Sequence, residues 1–123
     1  MKITFIETPV TKERDMSVEF ATCPADAEIK VAVFDEHSDN NEQFYSAIAD
    51  ADAVCMYGYV YLDKQKIDAM PNCKVISFQS TGYNEVDFDY ATEKGITIVS
   101  ILDYCTQETA ENAFTMMLAQ SPE

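Results

Sequence analysis

Residues 75–99 read VISFQSTGYNEVDFDYATEKGITIV, and they carry the clearest structural signal in the chain. A short apolar run leads into a polar loop, then into a helix-like segment, 88–94, and finally into a second apolar run. Asp87 precedes the helical segment and can cap it, and Gly95 supplies the left-handed residue that closes such a helix. A strand, a crossover helix and another strand in this order predict two parallel strands of an α/β sheet.

The same alternation of apolar runs and helix-like segments extends through the rest of the chain. Each run is nearly continuous in apolar residues, which is typical of strands covered by helices on both faces. Right-handed crossovers connect them most simply in the order 2-1-3-4-5. We therefore predict an α/β fold, a flavodoxin-like doubly wound five-stranded parallel sheet with an extra C-terminal linker helix. The predicted strands are 3–6, 29–34, 53–57, 75–78 and 96–99.

Local signals also place helices between the earlier strands. Asn40 and Gln43 have the spacing of a capping pair before an apolar helical face. Asp63 is predicted to cap a helix that runs through Met70. A further helix is predicted over 11–21.

Composition and charge exclude several functional classes. The 123 residues, 47% of them hydrophobic, suffice for one domain with its own core but not for two. Eight Lys and Arg against 22 Asp and Glu give a formal charge of -14, which disfavours nucleic acid and anionic membrane surfaces as partners. The opening MKITFIE reads as a strand and not as a signal peptide, and no apolar run approaches a membrane span.

The four cysteines do not suggest a metal or redox site. They lie far apart, without a Cys-x-x-Cys pair, and His37 is the single histidine. Cys55 and Cys73 lie inside apolar runs and are predicted to be small core residues, whereas His37 is predicted to be a surface loop residue. We expect free thiols and a cytoplasmic protein.

Two segments, STGYNEVD at 80–87 and YCTQETAENAFTMMLA at 104–119, carry a family resemblance. In this order, with ATEKGI at 91–96 between them, they resemble the first half of a D-isomer-specific 2-hydroxyacid dehydrogenase. The resemblance implies a flavodoxin-like substrate-binding domain over 1–104 and, over 105–123, a linker helix that would lead into a missing nucleotide-binding domain. It also implies hydride transfer between NAD(P) and a small 2-hydroxy or 2-oxo acid.

The chain itself does not contain the parts that this chemistry needs. Three glycines cannot form a Gly-x-Gly-x-x-Gly phosphate loop. In the family, hydride transfer uses an arginine and a histidine held by a carboxylate, and none of them has an equivalent here. We therefore expect a truncated chain that is inactive alone, has no catalytic or metal-binding residue, and cannot bind NAD without the missing domain.

The resemblance implies a carboxylate site in the loop after the fourth strand. Main-chain amides at Thr81 and Gly82 would bind the carboxylate of the substrate, because converging N–H groups stabilise an anion. The alternative is an ordinary turn in which Gly82 adopts a positive φ and Asn84 closes a side-chain turn. Tyr57 and Tyr59 stand where relatives that act on phosphorylated acids have arginines, which favours a small acid, although half-buried packing is an equal alternative for either tyrosine.

The hinge to the missing domain supplies the remaining expected contacts. The resemblance places Tyr104, which reads as buried, and Thr106 next to the substrate, and Thr109 near the nicotinamide. Thr106 is also predicted to cap the last helix. That helix has an apolar stripe of Ala110, Ala113, Phe114, Met117 and Leu118, part of which would face water and could form a homodimer.

Two other classes of protein are alternatives to the dehydrogenase. A stand-alone, non-catalytic flavodoxin-like binding or regulatory module would retain the pocket. A phosphoacceptor receiver or flavin carrier shares the topology, but a receiver needs an aspartate where Tyr57 stands. A flavin carrier needs a glycine- and hydroxyl-rich loop at 7–10, where the sequence ETPV offers little.

Overall fold

The structure, a computed structural model, describes residues 1–120. Within them the chain forms one parallel five-stranded sheet in the order β2-β1-β3-β4-β5, which confirms the predicted fold. The strands are β1 Lys2–Glu7, β2 Glu28–Val33, β3 Ala53–Met56, β4 Val75–Phe78 and β5 Thr97–Val99. The helices are α1 Ser17–Thr22, α2 Glu42–Ile48, α3 Lys64–Asp68, α4 Phe88–Glu93 and α5 Thr106–Ala119. Residues 121–123, the end of the predicted linker segment, lie outside the described residues.

The two faces of the sheet are covered unequally. On one face, α2, α3 and α4 pack over the strands around Phe44, Ile67 and Ala91. On the other face, a smaller cluster forms where Met16 and Phe20 of the α1 region pack on β1. The edge strands β2 and β5 therefore keep exposed positions, and the prediction that every strand is covered on both faces holds fully only near the centre of the sheet.

Three local signals in the sequence are confirmed. Asp63 caps α3 by accepting a hydrogen bond from the Lys66 amide at 2.9 Å, and Asp87 caps α4 by accepting one from the Tyr90 amide at 3.1 Å. Gly95 follows α4 with φ of 76°, in the left-handed region. The two caps were predictable because each carboxylate and the amide that it binds lie within one helical turn. The helix bounds are shorter than predicted, since α3 ends at Asp68 and not at Met70.

The predicted capping pair of Asn40 and Gln43 forms only in part: the Asn40 side chain accepts from the Glu42 amide, the first of α2, at 3.0 Å, but among residues 1–120 the Gln43 side chain does not bond back to Asn40. Helix α2 begins at Glu42 with Asn41 in the capping position, and the Asn41 side chain does not cap the helix. Instead, its amide group binds the backbone of Asp35, accepting from the amide and donating to the carbonyl at 3.0 Å each. The loop after β2 therefore competes for the side chain that would otherwise close the helix.

The helix predicted over 11–21 is also wrong in its extent. Thr8 and Thr11 form a separate turn, in which the Thr8 amide donates to the Thr11 hydroxyl at 2.9 Å. Helix α1 begins only at Ser17, whose amide donates to the Asp15 carboxylate at 2.9 Å. The intervening segment is irregular and carries Arg14 back toward the end of β1.

Helix α5 lies in solvent along its whole length. No residue of Thr106–Ala119 is buried, and Phe114, Met117 and Leu118 are 61%, 72% and 60% exposed. The apolar stripe was expected to be exposed only in part, but the whole stripe is exposed. Tyr104 is 58% exposed, so its predicted burial is wrong. Across residues 1–120, no helix is both long and apolar enough to cross a membrane.

The predicted cap of α5 by Thr106 is wrong as well. Thr106 is the first residue of the helix, after Cys105 in the capping position. Its hydroxyl donates to the Asp103 carboxylate at 2.5 Å, so it joins the turn before the helix and does not bind a helical amide.

All four cysteines, which lie within the described residues, are free thiols. Cys73 is buried, as predicted for a core residue, but Cys55 is only partly buried, because it faces the thinner cluster near α1. Burial raises the pKa of the Cys55 thiol to about 11. Cys55 is therefore a packing residue and not a reactive thiolate at neutral pH.

Candidate functional site

The loops that follow the strands come together at the carboxyl edge of the sheet. In doubly wound folds, ligands bind at this edge, where the order of the strands reverses. Here the reversal lies at β1, which pairs with β2 on one side and with β3 on the other. The relevant loops therefore follow β1, β3 and β4.

The loop after β3 is anchored to the loop after β4. Gly58 has φ of 94°, and a Cβ atom there would lie 3.0 Å from a carboxylate oxygen of Glu85. The Leu62 amide donates to the Glu85 carbonyl at 2.9 Å, and the Asp87 amide returns a bond to the Leu62 carbonyl at 3.0 Å. The positive φ at residue 58 favours glycine, and the two backbone hydrogen bonds hold the two loops in a defined relative position.

Tyr57 and Tyr59 flank this glycine. Tyr57 is partly buried, whereas Tyr59 is 66% exposed, and their ring centroids lie 6.2 Å apart. The two tyrosines therefore form an aromatic wall beside the carboxyl ends of β3 and β4.

The loop after β4 presents unoccupied main-chain donors. The Ser80 hydroxyl donates to the Gly82 carbonyl at 2.9 Å, which orders the loop. Among residues 1–120, no backbone or side-chain acceptor takes the amides of Thr81 and Gly82, and both residues are exposed. Gly82 does not have a positive φ, and no hydrogen bond closes a turn through the Asn84 side chain within this described part. The predicted alternative of an ordinary glycine turn is therefore not what the loop forms.

The hinge lies beside this loop. The Ile101 amide donates to the Ser80 carbonyl at 3.0 Å. The pKa of the Tyr104 hydroxyl is raised, mainly by its hydrogen bond and charge interaction with Cys105, with smaller contributions from Tyr57 and Tyr59. Thr106 contacts Asp103, and the Thr109 side chain is exposed, so the structure does not bring these two threonines to the loop after β4.

A charged cluster at the end of β1 escaped the sequence analysis. Arg14 donates from Nε to the Glu7 carboxylate at 2.9 Å, from Nη1 to Glu19, and from Nη2 to the Gln79 side chain at 3.2 Å. Its guanidinium carbon lies 4.5 Å from the centroid of the Tyr57 ring, a cation–π distance. This Arg14 cluster, defined as Glu7, Arg14, Glu19 and Gln79, thus reaches the ends of β1, β3 and β4.

The contacts of Arg14 and Glu19 within the cluster favour their charged forms. Burial lowers the pKa of the Arg14 guanidinium, but hydrogen bonds to Glu19 and Glu7 outweigh burial, so this pKa is raised. The hydrogen bond from Arg14 lowers the pKa of Glu19. A signal was present in the sequence: an acid, Glu7, ends an apolar strand, and a carboxylate at such a position needs a cationic partner.

A separate cavity of about 460 Å³ opens at the ends of β1, β2 and β3. Tyr59 is the predicted site residue that lines it. Other lining residues include Phe34, Tyr61 and Lys66, whose ammonium group pairs with Asp63 at 2.8 Å. His37 also reaches the rim, and its ring is 87% exposed, as predicted for a surface loop residue. Thr81, Gly82, Tyr104 and Thr106 are absent from its lining. In the described part of the chain, no three His, Cys, Asp or Glu side chains group as metal ligands would.

Comparisons with known proteins agree on one family. The model of the D-isomer specific 2-hydroxyacid dehydrogenase catalytic domain matches residues 6–121. A glyoxylate reductase of Thermococcus onnurineus is 31% identical over 85 residues, which are 69% of this chain and 25% of the relative. A D-3-phosphoglycerate dehydrogenase of Mycobacterium bovis is 27% identical over 82 residues, 67% of this chain and 16% of that protein.

Solved structures share the fold. The D-lactate dehydrogenase of Aquifex aeolicus, complexed with NAD and lactic acid, superposes with a TM-score of 0.70 at 22% identity, over 95% of this chain and 33% of the other. The chain spans about a quarter of the length of the curated relatives that it matches.

Proposed function

The chain belongs to the D-isomer-specific 2-hydroxyacid dehydrogenase family, and from this membership we propose that it forms the substrate-binding part of an oxidoreductase. The reaction would be hydride transfer between a nicotinamide and a small 2-oxo or 2-hydroxy acid. One observation carries the proposal: the amides of Thr81 and Gly82 are exposed and unpaired, in an ordered loop beside Tyr57. Adjacent N–H groups of this kind bind a carboxylate without a charged side chain.

The roles of the other site residues follow from this placement. Tyr57 and Tyr59 would shape the pocket for the substituent of the acid, and Tyr104 would approach from the hinge. Thr106 and Thr109 would meet substrate and nicotinamide only if a nucleotide domain docks after the hinge. NAD is proposed as the cofactor because a structural relative is complexed with NAD. Four free thiols support a cytoplasmic location, since disulfides are rare there.

The test of the proposed function is a titration of the ¹⁵N-labelled chain with pyruvate or oxamate. We expect amide shifts centred on residues 80–84 and near Tyr57, with a dissociation constant in the millimolar range, about 4 kcal/mol of binding. Gly82→Pro removes one donor and should weaken binding several-fold. Gly82→Ala is the matched control, because a Cβ there meets no atom within 4 Å and the amide is retained. Shifts centred on residues 35–40 would contradict the assignment.

The isolated 123-residue chain is expected to show no turnover. It has no Gly-x-Gly-x-x-Gly loop and no Arg, His and carboxylate set for hydride transfer. Pure protein should therefore leave NADH unoxidised with pyruvate, glyoxylate or hydroxypyruvate in a spectrophotometric assay. Turnover that rises in proportion to protein and survives further purification would contradict this expectation.

A homodimer through α5 is proposed as its state of association. The exposed stripe includes Phe114, Met117 and Leu118, and burying one such side chain contributes about 1.5–3 kcal/mol. Sedimentation of the wild type beside a Phe114→Asp, Met117→Asp variant at moderate salt should show a dimer for the first and a monomer for the second. A wild type that stays monomeric at high concentration would contradict the dimer.

A stand-alone binding or regulatory module is the alternative function. The cavity of about 460 Å³, which the predicted carboxylate loop does not line, is the observation that favours it. The titration separates the two functions, since a module that binds through this cavity would respond at residues 34–37 and 59–66.

A further inference from the structure

Arg14 places a guanidinium beside the loop after β3. This loop carries tyrosines and no arginine, yet the Arg14 guanidinium lies 4.5 Å from the centroid of the Tyr57 ring. Its Nη2 also donates to Gln79, the residue directly before the Ser80–Gly82 turn, at 3.2 Å. A cation therefore lies beside the Tyr57 ring and next to the residue that precedes the Ser80–Gly82 turn.

The positive charge of Arg14 is outweighed by the negative charges of the two carboxylates that it contacts. Glu7 and Glu19 each accept a hydrogen bond from Arg14, so two carboxylates face one guanidinium and the three groups carry a formal charge of about -1. The second oxygen of Glu7 is buried and has no hydrogen-bond partner among residues 1–120. A second anion brought to Arg14 would meet this excess negative charge and not a free cation.

The two acids differ in what they can do. The Glu7 side chain is 1% exposed and needs Arg14 as its counterion, so its role is structural. The Glu19 side chain is 19% exposed and lies on α1, outside the sheet edge. Neutralising Glu19 would leave Arg14 and Glu7 as a balanced pair, so a second anion near the guanidinium would no longer meet excess negative charge.

We propose that Glu19, acting through Arg14, is a positioning residue that sets specificity against 2-oxo acids with a second negative charge. The inference rests on the proposed function, because it assumes that the carboxylate of the acid binds at Thr81 and Gly82. The charge of Glu19 makes the surroundings of the guanidinium net negative, and this excess repels a distal carboxylate. The protein thereby selects small monoanionic acids.

The test compares a monoanion with a dianion in the full chain and in Glu19→Gln. Glutamine keeps the oxygen that accepts from Nη1 and removes only the charge. For the wild type, we expect pyruvate to bind about tenfold more tightly than 2-oxoglutarate, judged from the shifts at residues 80–84. In E19Q the affinity for 2-oxoglutarate should rise about tenfold, while that for pyruvate changes by less than about twofold.

The matched control is Glu13→Gln, which removes the same charge from an exposed residue of the same segment. It should leave the ratio of the two affinities unchanged. Equal gains for both acids in E19Q, or the same gain in E13Q, would overturn the proposal, because the effect would then be one of net charge. An unchanged ratio in a folded E19Q would overturn it too.

A second measurement does not depend on the variant folding. Raising the ionic strength from about 0.01 M to about 0.15 M shortens the screening length. The ratio of the wild-type affinity for pyruvate to that for 2-oxoglutarate should therefore decrease. A ratio that does not respond to salt overturns the proposal. Failure of pyruvate itself to shift residues 80–84 has a different meaning: it removes the proposed function, and the specificity inference falls with it.

Discussion

Replacing Arg14 by alanine is expected to lower the free energy of unfolding by about 3 kcal/mol, although Arg14 lies in an irregular segment outside every helix and strand. The change leaves the Glu7 carboxylate, 1% exposed, without its counterion at the end of the interior strand β1. Removing one partner of a buried ion pair costs about 3–5 kcal/mol, and the lower value applies because the Arg14 side chain is 22% exposed and water can reach the gap. Urea denaturation at neutral pH measures the loss.

Lys12→Ala is the matched control for this experiment. Lys12 is an exposed cation two residues away, and its removal should change stability by less than about 0.5 kcal/mol. The double variant Glu7→Gln, Arg14→Ala should recover part of the loss, because a neutral amide tolerates burial better than an uncompensated carboxylate. Equal effects of the Arg14 and Lys12 changes would show that the ion pair does not stabilise the fold.

Replacing Phe44 by alanine is expected to cost about 4 kcal/mol of the unfolding free energy. The Phe44 side chain is 1% exposed, and it is one of the two buried side chains, with Ile48, through which α2 packs into the larger core cluster. Its ring forms edge-to-face contacts with Phe34 at 5.1 Å and with Tyr45 at 5.4 Å, so the change removes burial and two aromatic pairs. Because small domains have about 5–15 kcal/mol of stability, this variant should be close to unfolding at 37 °C.

Phe88→Ala is the matched comparison, because it removes the same side chain from a position that is far less buried. Phe88 is 49% exposed at the start of α4, and its loss should cost less than about 1 kcal/mol. Denaturant midpoints of the two variants, at equal slopes, would give the difference directly. If both variants lost the same stability, the core would not lie between α2 and the sheet as the structure places it.

The parts of the fold that were predictable are those that depend on short stretches of chain. The five strands follow from runs such as Val75–Phe78, because a parallel strand must be apolar over its whole length when helices cover it. Asp63 and Asp87 were recognisable as caps because each binds an amide three residues later. At α2 only the Asn40 contact was recognisable, because Asn41, in the capping position, binds Asp35 six residues earlier in the preceding loop.

The candidate site divides in the same way. The loop with Thr81 and Gly82 was found through a family resemblance in one continuous segment, and its free amides agree with the role that the resemblance implies. The role itself stays a prediction until the titration is done. Tyr104, in contrast, was expected to be buried and is exposed, because no element of residues 1–120 covers α5.

Periodicity, strand composition and cap spacing were sufficient to specify a doubly wound sheet in the order 2-1-3-4-5, since each depends on interactions within a few residues or on the burial of a whole strand. Only folding brought Arg14 to Gln79, 65 residues away, and onto the ring of Tyr57. No local sequence pattern predicts these contacts of Arg14 with Gln79 and Tyr57. Arg14 meets these residues because three strands end at one edge of the sheet, where the Glu7 carboxylate is buried. Without the ion pair to Arg14, the unpaired charge of Glu7 would destabilise the fold.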